Sequence, residues 1–120
     1  MRGNDHFAEM LGIQLVEARD GYSKVVMKVV KNHTNALGFT HGGAIFSLAD
    51  YAFAHACNFG DNVAVAVQVS INFLRPSVEG DLLTAEATRV SGGKTTGLYQ
   101  VTVKGAEKMV AYFTGLAFKK

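Results

Sequence analysis

Between Asn35 and Asn58 the chain reads NALGFTHGGAIFSLADYAFAHACN, and its only formal charge there is Asp50. Burying a carboxylate in such a run costs free energy unless it is hydrogen-bonded or paired. Ionisable groups kept in apolar clefts are enriched at active sites, where a carboxylate can take a proton or attack an electrophilic carbon. A structural carboxylate with a hydrogen-bond partner is the plain alternative. At the head of the run stand His41, Gly42 and Gly43. A glycine pair is poor helix-forming material. It opens a helix either for packing or to leave the helix start bare for a ligand. Other reactive side chains lack the company they need. Ser47 has no Gly-x-Ser-x-Gly setting, and Cys57 has no base at a convincing spacing. His55 and Cys57 find no further ligand at a recognised zinc spacing, so no metal is expected.

The elements that must position these residues are legible in outline. Asp5 to Leu11 reads as a short helix with Asn4 as N-cap and Gly12 as its stop. Two extended runs flank Asp20-Gly21, a strong hairpin signal, and the second runs from Tyr22 to Val30. Asn32 to Thr40 is polar and turn-like. From Gly42 or Gly43 to about Asn58 the spacing predicts a helix apolar on every side, hence buried. Val63 to Leu74 alternates, which predicts a strand with Val63, Val65, Val67, Val69, Ile71 and Phe73 on one face. Pro76 ends it. Further strands follow from Gly80-Asp81 to about Val90, from Lys94 to Val103 after a Gly92-Gly93 turn, and from Lys108 to Phe118 after a turn at Gly105. The expected fold class is α+β, a curled, mostly antiparallel sheet wrapped around one long central helix, which is the hotdog fold.

The totals narrow the function classes. The chain has 120 residues, which suits a single domain over 1–120. Its net charge is +2, too mild for a nucleic-acid partner. One cysteine, Cys57, allows no internal disulfide. The start has no apolar signal segment, so a cytoplasmic setting is the expectation. The longest apolar stretch, Gly42 to Cys57, is shorter than the ~20 residues of a membrane span and holds Asp50 and His55. No membrane partner is expected.

Two motifs point to a family. Asn35-x-x-Gly38-x-x-His41-Gly42-Gly43-x-x-x-x-Leu48-Ala49-Asp50 resembles the core motif of hotdog-fold acyl-CoA thioesterases of the phenylacetyl-CoA and 4-hydroxybenzoyl-CoA type. Ile71-Asn72-Phe73-Leu74-Arg75-Pro76, followed by Gly80-Asp81, is similar to that family's strand and turn after the helix. With the strand order, the resemblance covers nearly the whole chain. It implies hydrolysis of an acyl-CoA thioester to free acid and coenzyme A, with aryl and medium-chain acyl groups both open. Coenzyme A is then part of the substrate, and no cofactor is implied. By the same resemblance the N–H of Gly42 polarises the thioester carbonyl, and Asp50 attacks it or activates water. Asn35 orients that water or the carboxylate, and His41 lies near the carbonyl. Gly43, Ser70, Asn72, Arg75 and Lys94 are candidates for substrate binding, the two cations for the coenzyme A phosphates, with Arg89 a third. Many relatives carry Thr or Ser directly after the acid, where this chain has Tyr51. Phe46, Tyr51 and Phe53 are candidates for lining the acyl group. Two other functions stay open: a hotdog acyl-thioester dehydratase or hydratase, and a non-catalytic acyl-CoA binding module.

Geometry adds a condition. Gly42 and Asp50 are eight residues apart, so ~12 Å apart along one helix. They cannot both touch one reaction centre ~3 Å across. Two antiparallel helices side by side would bring one chain's Gly42 to another's Asp50. The expected minimal unit is a homodimer with two shared sites, in a dimer or a dimer of dimers. Asp50 is then tolerated because its run faces a partner chain and a substrate tunnel.

Overall fold

A computed structural model describes residues 3–120. The chain runs through α1 (His6–Leu11), β1 (Gln14–Arg19), β2 (Tyr22–Lys28), a short 3-10 turn (Lys31–His33), α2 (Gly42–Cys57), β3 (Ala64–Phe73), β4 (Leu82–Gly92), β5 (Thr96–Gly105) and β6 (Lys108–Lys119). The six strands form one sheet in the order β1-β2-β4-β5-β6-β3, antiparallel throughout and not closed on itself. Its concave side holds α2, which packs chiefly on β2, β4 and β5. This is the hotdog arrangement.

α1 begins one residue later than the sequence suggests. Asp5, not Asn4, is the N-cap: its Oδ1 accepts the N–H of Ala8 at 2.9 Å. Gly12 ends the helix in the left-handed region at φ 76°, a conformation that a side chain disfavours. α2 opens on His41 as N-cap and stops at Asn58, whose Nδ2 donates to the carbonyl of Ala54 at 2.9 Å. The Asn58 Oδ1 accepts the N–H of Ala64 at 2.8 Å and so starts β3.

α2 is buried on one side rather than all round. Leu48, Ala49, Ala52 and Phe53 face the sheet and are sealed from solvent, while Phe46, Ser47, Asp50, Tyr51 and Ala54 on the outer side are half-buried beneath α1. The small residues let the helix lie close to the strands. The large ones fill the hollow: Phe53 meets Tyr99 and Phe113 at ring-centroid distances of 5.5 and 5.6 Å. A Cβ on Gly115 would come within 2.9 Å of Phe53 Cζ. Phe53 is therefore core and does not border the small cavity that Phe46 and Tyr51 line.

β3 departs from simple alternation. Its register against β6 shifts between Ala66 and Gln68, leaving Val67 as an extra residue. Val65 pairs with Phe118, on the outer face, whereas Val69 and Ile71 pair with Gly115 and Phe113, on the face toward α2. A bulge of this kind flips every later side chain. At the β5–β6 hairpin, Ala106 and Glu107 take the left-handed turn positions at φ 50° and 68°. Gly105 is not the turn residue: it lies within β5, and a Cβ there would sit 3.0 Å from Leu83 Cδ2.

Candidate active site

The site is assembled from two stretches: the loop that leads into α2 and the outer face of α2 itself. Asn35 shapes the loop. Its Oδ1 accepts the N–H groups of Leu37 and Phe39 at 2.9 and 3.1 Å, and its own N–H donates to the Phe39 carbonyl at 2.7 Å. An Asx turn of this kind fixes the backbone and leaves only the side-chain NH2 for another partner. The far end of the loop is pinned twice. Thr40 N–H donates to the Ser77 carbonyl at 2.8 Å, and the buried Ser77 hydroxyl donates to Thr40 Oγ1 at 2.7 Å. His41 N–H donates to the His33 carbonyl at 2.7 Å. His33 is itself a buried clip: Nδ1 accepts from Val30 N–H at 3.0 Å and Nε2 donates to the Leu11 carbonyl at 2.8 Å. It ties the end of α1 to the start of α2.

His41 caps α2 by accepting the N–H of Gly43 at Nδ1, 2.8 Å away. That places the ring's proton on Nε2, which is left as a donor. Gly43 therefore has no N–H to offer a substrate. Its lack of a side chain makes room for the cap, since a Cβ would lie 3.0 Å from His41 Nδ1. Gly42 is different. Among the described residues its N–H meets no acceptor, as the first turn of a helix requires of some donor. A Cβ there would sit 3.3 Å from Phe73 Cζ. Gly42 borders a cavity of about 370 Å³ walled by Thr40, Ile45, Phe73, Leu74 and Arg75. Free N–H and helix dipole together favour developing negative charge at that spot. Arg75 holds its place there by donating from Nη1 to the Met109 carbonyl at 3.3 Å.

Asp50 lies in the middle of α2 and borders a second, smaller cavity of about 110 Å³ with Asp5, Phe7, Ser47 and Tyr51. Among the described residues no donor reaches its carboxylate. Burial raises its proton affinity above the ordinary carboxylate range, and the charge of Asp5 adds to the shift. Burial also lowers the pKa of His55 and pushes the Cys57 thiol up to about 11. Cys57 is thus a core thiol and not a nucleophile.

Within one chain, then, Gly42 and Arg75 share a cavity at the start of α2, His41 borders another with Gly43, Phe46 and Ser47, Asn35 stays in the loop before them, and Asp50 stands about two turns further along the same helix. Ser70 and Asn72 join none of these. They pair with Thr114 and Tyr112 on the sheet face away from α2, and the Ser70 and Thr114 hydroxyls bond each other at 2.9 Å. Lys94 lies in the β4–β5 turn, next to Lys119, whose Nζ donates to the Gly93 carbonyl. That is the Ala64 end of the sheet, opposite the Phe73 end where Arg75 sits. Arg89 pairs with Asp20 at 3.3 Å. Sequence reasoning missed Asp5, His33 and the Thr40–Ser77 pair as parts of the site. Their signal is long-range contact, which no local pattern carries.

Known proteins resemble the chain in sequence and in fold. Residues 37–112 match the Thioesterase superfamily. The chain is similar to the acyl-coenzyme A thioesterase PaaI of Escherichia coli, with 44% identity over 96% of this chain and 83% of that protein. A crystal structure of a Thermus thermophilus protein superimposes with a TM-score of 0.95 at 36% identity, covering 98% of this chain and 100% of that one. A Streptococcus mutans protein, solved with acetyl CoA bound, superimposes with a TM-score of 0.86 at 33% identity, covering 90% of this chain and 88% of that one. The chain belongs to the Thioesterase superfamily.

Proposed function

We propose that this protein hydrolyses the thioester bond of an acyl-CoA, giving the free acid and coenzyme A, at sites shared between two copies of the chain. The observation that carries the reading is the division on α2: an open N–H at Gly42 and a carboxylate at Asp50 that no donor among the described residues reaches, eight residues apart on one helix. The activity named for the Escherichia coli relative and the acetyl CoA in the Streptococcus mutans structure support the substrate class.

In this reading the thioester carbonyl points at the Gly42 N–H of one subunit. Asp50 of the other takes a proton from water as that water attacks the carbonyl carbon. The tetrahedral oxyanion is held at the helix start. When the C–S bond breaks, the departing thiolate takes the proton back from Asp50. The raised proton affinity of Asp50 suits a base. His41 Nε2–H and the Asn35 NH2 are further donors carried by the loop that leads into α2. If Asp50 instead attacks the carbonyl directly, coenzyme A leaves as the thiolate and a mixed anhydride forms; when water then opens it at the Asp50 carbon, a single turnover in oxygen-18 water leaves the label in that carboxylate.

The two sheet edges support the dimer. β1 is short, bulged between Leu15 and Glu17, and carries the Glu17–Arg19 ion pair. Charge and irregularity blunt an edge. β3 is 10 residues long, and no charged side chain lies between Asn62 and Leu74. Such an edge pairs readily with a second copy. Antiparallel pairing about a two-fold axis sets the Ala64 end of one β3 beside the Phe73 end of the other. It would bring Lys94 and Lys119 of one copy toward the Gly42 and Arg75 corner of the next, where coenzyme A phosphates could be met. The exposed apolar side chains of α1, Phe7 and Met10, support a further pairing into a dimer of dimers. Cytoplasmic location belongs to the same proposal, and among the described residues no helix is long and apolar enough to cross a membrane.

The first test is thiol release from a panel of aryl and medium-chain acyl-CoAs. No release from any of them, with binding retained, would favour a binding module instead. The second is complementation. Gly42→Val and Asp50→Asn are each expected to be inactive. Co-refolded in equal amounts, about half of the dimers are mixed by random pairing, and each mixed dimer has one intact site. About a quarter of wild-type activity should return. No recovery, with mixed dimers demonstrated by mass spectrometry, sinks the shared site.

A further inference from the structure

Asp5 begins as a local device. It caps α1 through one carboxylate oxygen, Oδ1, on Ala8 N–H. Among the described residues its other oxygen meets no donor. Asp5, held by this cap, and Asp50 wall the same small cavity with Ser47 and Tyr51. A cavity of about 110 Å³ has room for a few waters, each occupying ~30 Å³ in the liquid. The Ser47 hydroxyl is committed to the Gly43 carbonyl at 2.7 Å. Among the described residues the cavity is lined by two carboxylates and no cation.

We propose that Asp5 is a positioning residue for the hydrolysis: its fixed negative charge, presented by the α1 cap, keeps Asp50 a stronger proton acceptor than burial alone would make it. This rests on Asp50 being the base proposed above. Among the described residues of the strands beneath α2 and of α2 itself, no cation faces Asp50, and His6, the titratable residue next to Asp5 on α1, is exposed to solvent. The strands beneath α2 present Ser23, Val25, Leu83, Ala85, Val101 and Tyr99, none of them charged at neutral pH. On α2 itself, Tyr51, His55 and Cys57 are the titratable neighbours, and burial holds each of them toward its neutral form. On α1, Glu9 adds its negative charge near Tyr51. The influence of Asp5 extends to Asp50, Tyr51 and His55 alike, as its place above this stripe requires. Asp5 is exposed, so part of its field passes through water and is screened by salt.

The sign follows. A base works when deprotonated, and activity is lost as pH falls through its pKa. Removing the Asp5 charge lowers that pKa, so activity persists further into acid. Asparagine caps a helix as well as aspartate does, so Asp5→Asn removes the charge and keeps α1. The experiment is the pH profile of kcat/KM for thiol release, at low and high salt. Wild type, Asp5→Asn, Asp5→Glu and Asp50→Asn are compared, each with its melting temperature. For Asp5→Asn the acid limb should move down by about half a pH unit at low salt, leaving about three-fold more activity on the limb relative to plateau. High salt should shrink the difference. Asp5→Glu, which keeps the charge, should retain the wild-type limb. Superimposed limbs for wild type and a folded Asp5→Asn overturn the proposal, as does an equal shift in Asp5→Glu. If Asp50→Asn keeps near-normal turnover, the base assignment fails and takes this proposal with it. If Asp50→Asn is dead and the limb does not move, only this proposal fails.

Discussion

The two long faces of α2 come from the same 16 residues and follow different rules. The face toward the sheet is apolar and sealed: Leu48, Ala49 and Ala52 have no exposed surface, and Phe53 keeps 2%. Every polar group there belongs to the helix backbone or, like the Ser23 hydroxyl on the Ala52 carbonyl, is hydrogen-bonded. The outer face is half-buried and incompletely satisfied. Among the described residues Asp50 has no donor and the buried His55 Nε2 has no hydrogen-bond partner. Unsatisfied polar groups cost free energy. A fold can carry a few of them when the opposite face supplies the stability. The inner face holds the helix in place, and the outer face holds groups in a state a ligand can use.

Substitutions on each face sharpen or break this contrast. The largest effect is expected from Asp50→Asn. Turnover should fall by about 100-fold to 10,000-fold, the range for positioned acid–base groups. The melting temperature should hold or rise, because a neutral amide is less costly to half-bury than a carboxylate. A folded variant with near-normal turnover would break the contrast. Leu48→Ala on the inner face should do the reverse. It should destabilise by about 2–5 kcal/mol, as large-to-small core changes do, with kcat of the folded fraction little changed. Urea unfolding and kinetics on the same sample check both. The smallest effect is a pH dependence of stability. The pKa of Asp50 is raised on folding, above its ordinary value of 3.8. The folded state therefore binds this proton more tightly than the unfolded chain. Stability falls as pH rises from near 3.8 through the raised value, and the penalty persists at neutral pH. The stability difference between Asp50→Asn and wild type should grow across that window and level off above it. A difference that shrinks with rising pH would mean that Asp50 is stabilised by a partner as an anion.

The folding of each region depends on how local its causes are. α2 was legible because its boundaries are written in adjacent residues: a histidine and two glycines open it, and Asn58 closes it on Ala54, four residues back. The Asp20-Gly21 hairpin was legible for the same reason, and Gly21 takes φ 78° there. The isolation of Asp50 in an apolar run singled it out, and its distance from Gly42 follows from helix rise alone.

Other features were decided by tertiary structure. The bulge at Val67 exists only in the pairing of β3 with β6, so alternation read along β3 could not show which of its side chains face α2. The same shift belongs to the strand that turns Ser70 and Asn72 away from the site. Phe53 and Tyr51 are neighbours in type and nearly in sequence, yet one fills the core and the other walls a cavity, because the sheet covers one side of α2 and only short α1 covers the other. Arg75 and Lys94 both stand at strand ends, and strand order places them at opposite ends of the sheet. Asp5 and Asp50 meet across 45 positions of chain. The sequence determined its helices, hairpins and lone buried acid, because neighbouring residues specify these through hydrogen bonds and sterics within a few positions. Which side chains share a cavity depended on strand register and helix docking. Those are set by the burial of the whole apolar surface at once, and no short stretch of sequence contains that sum.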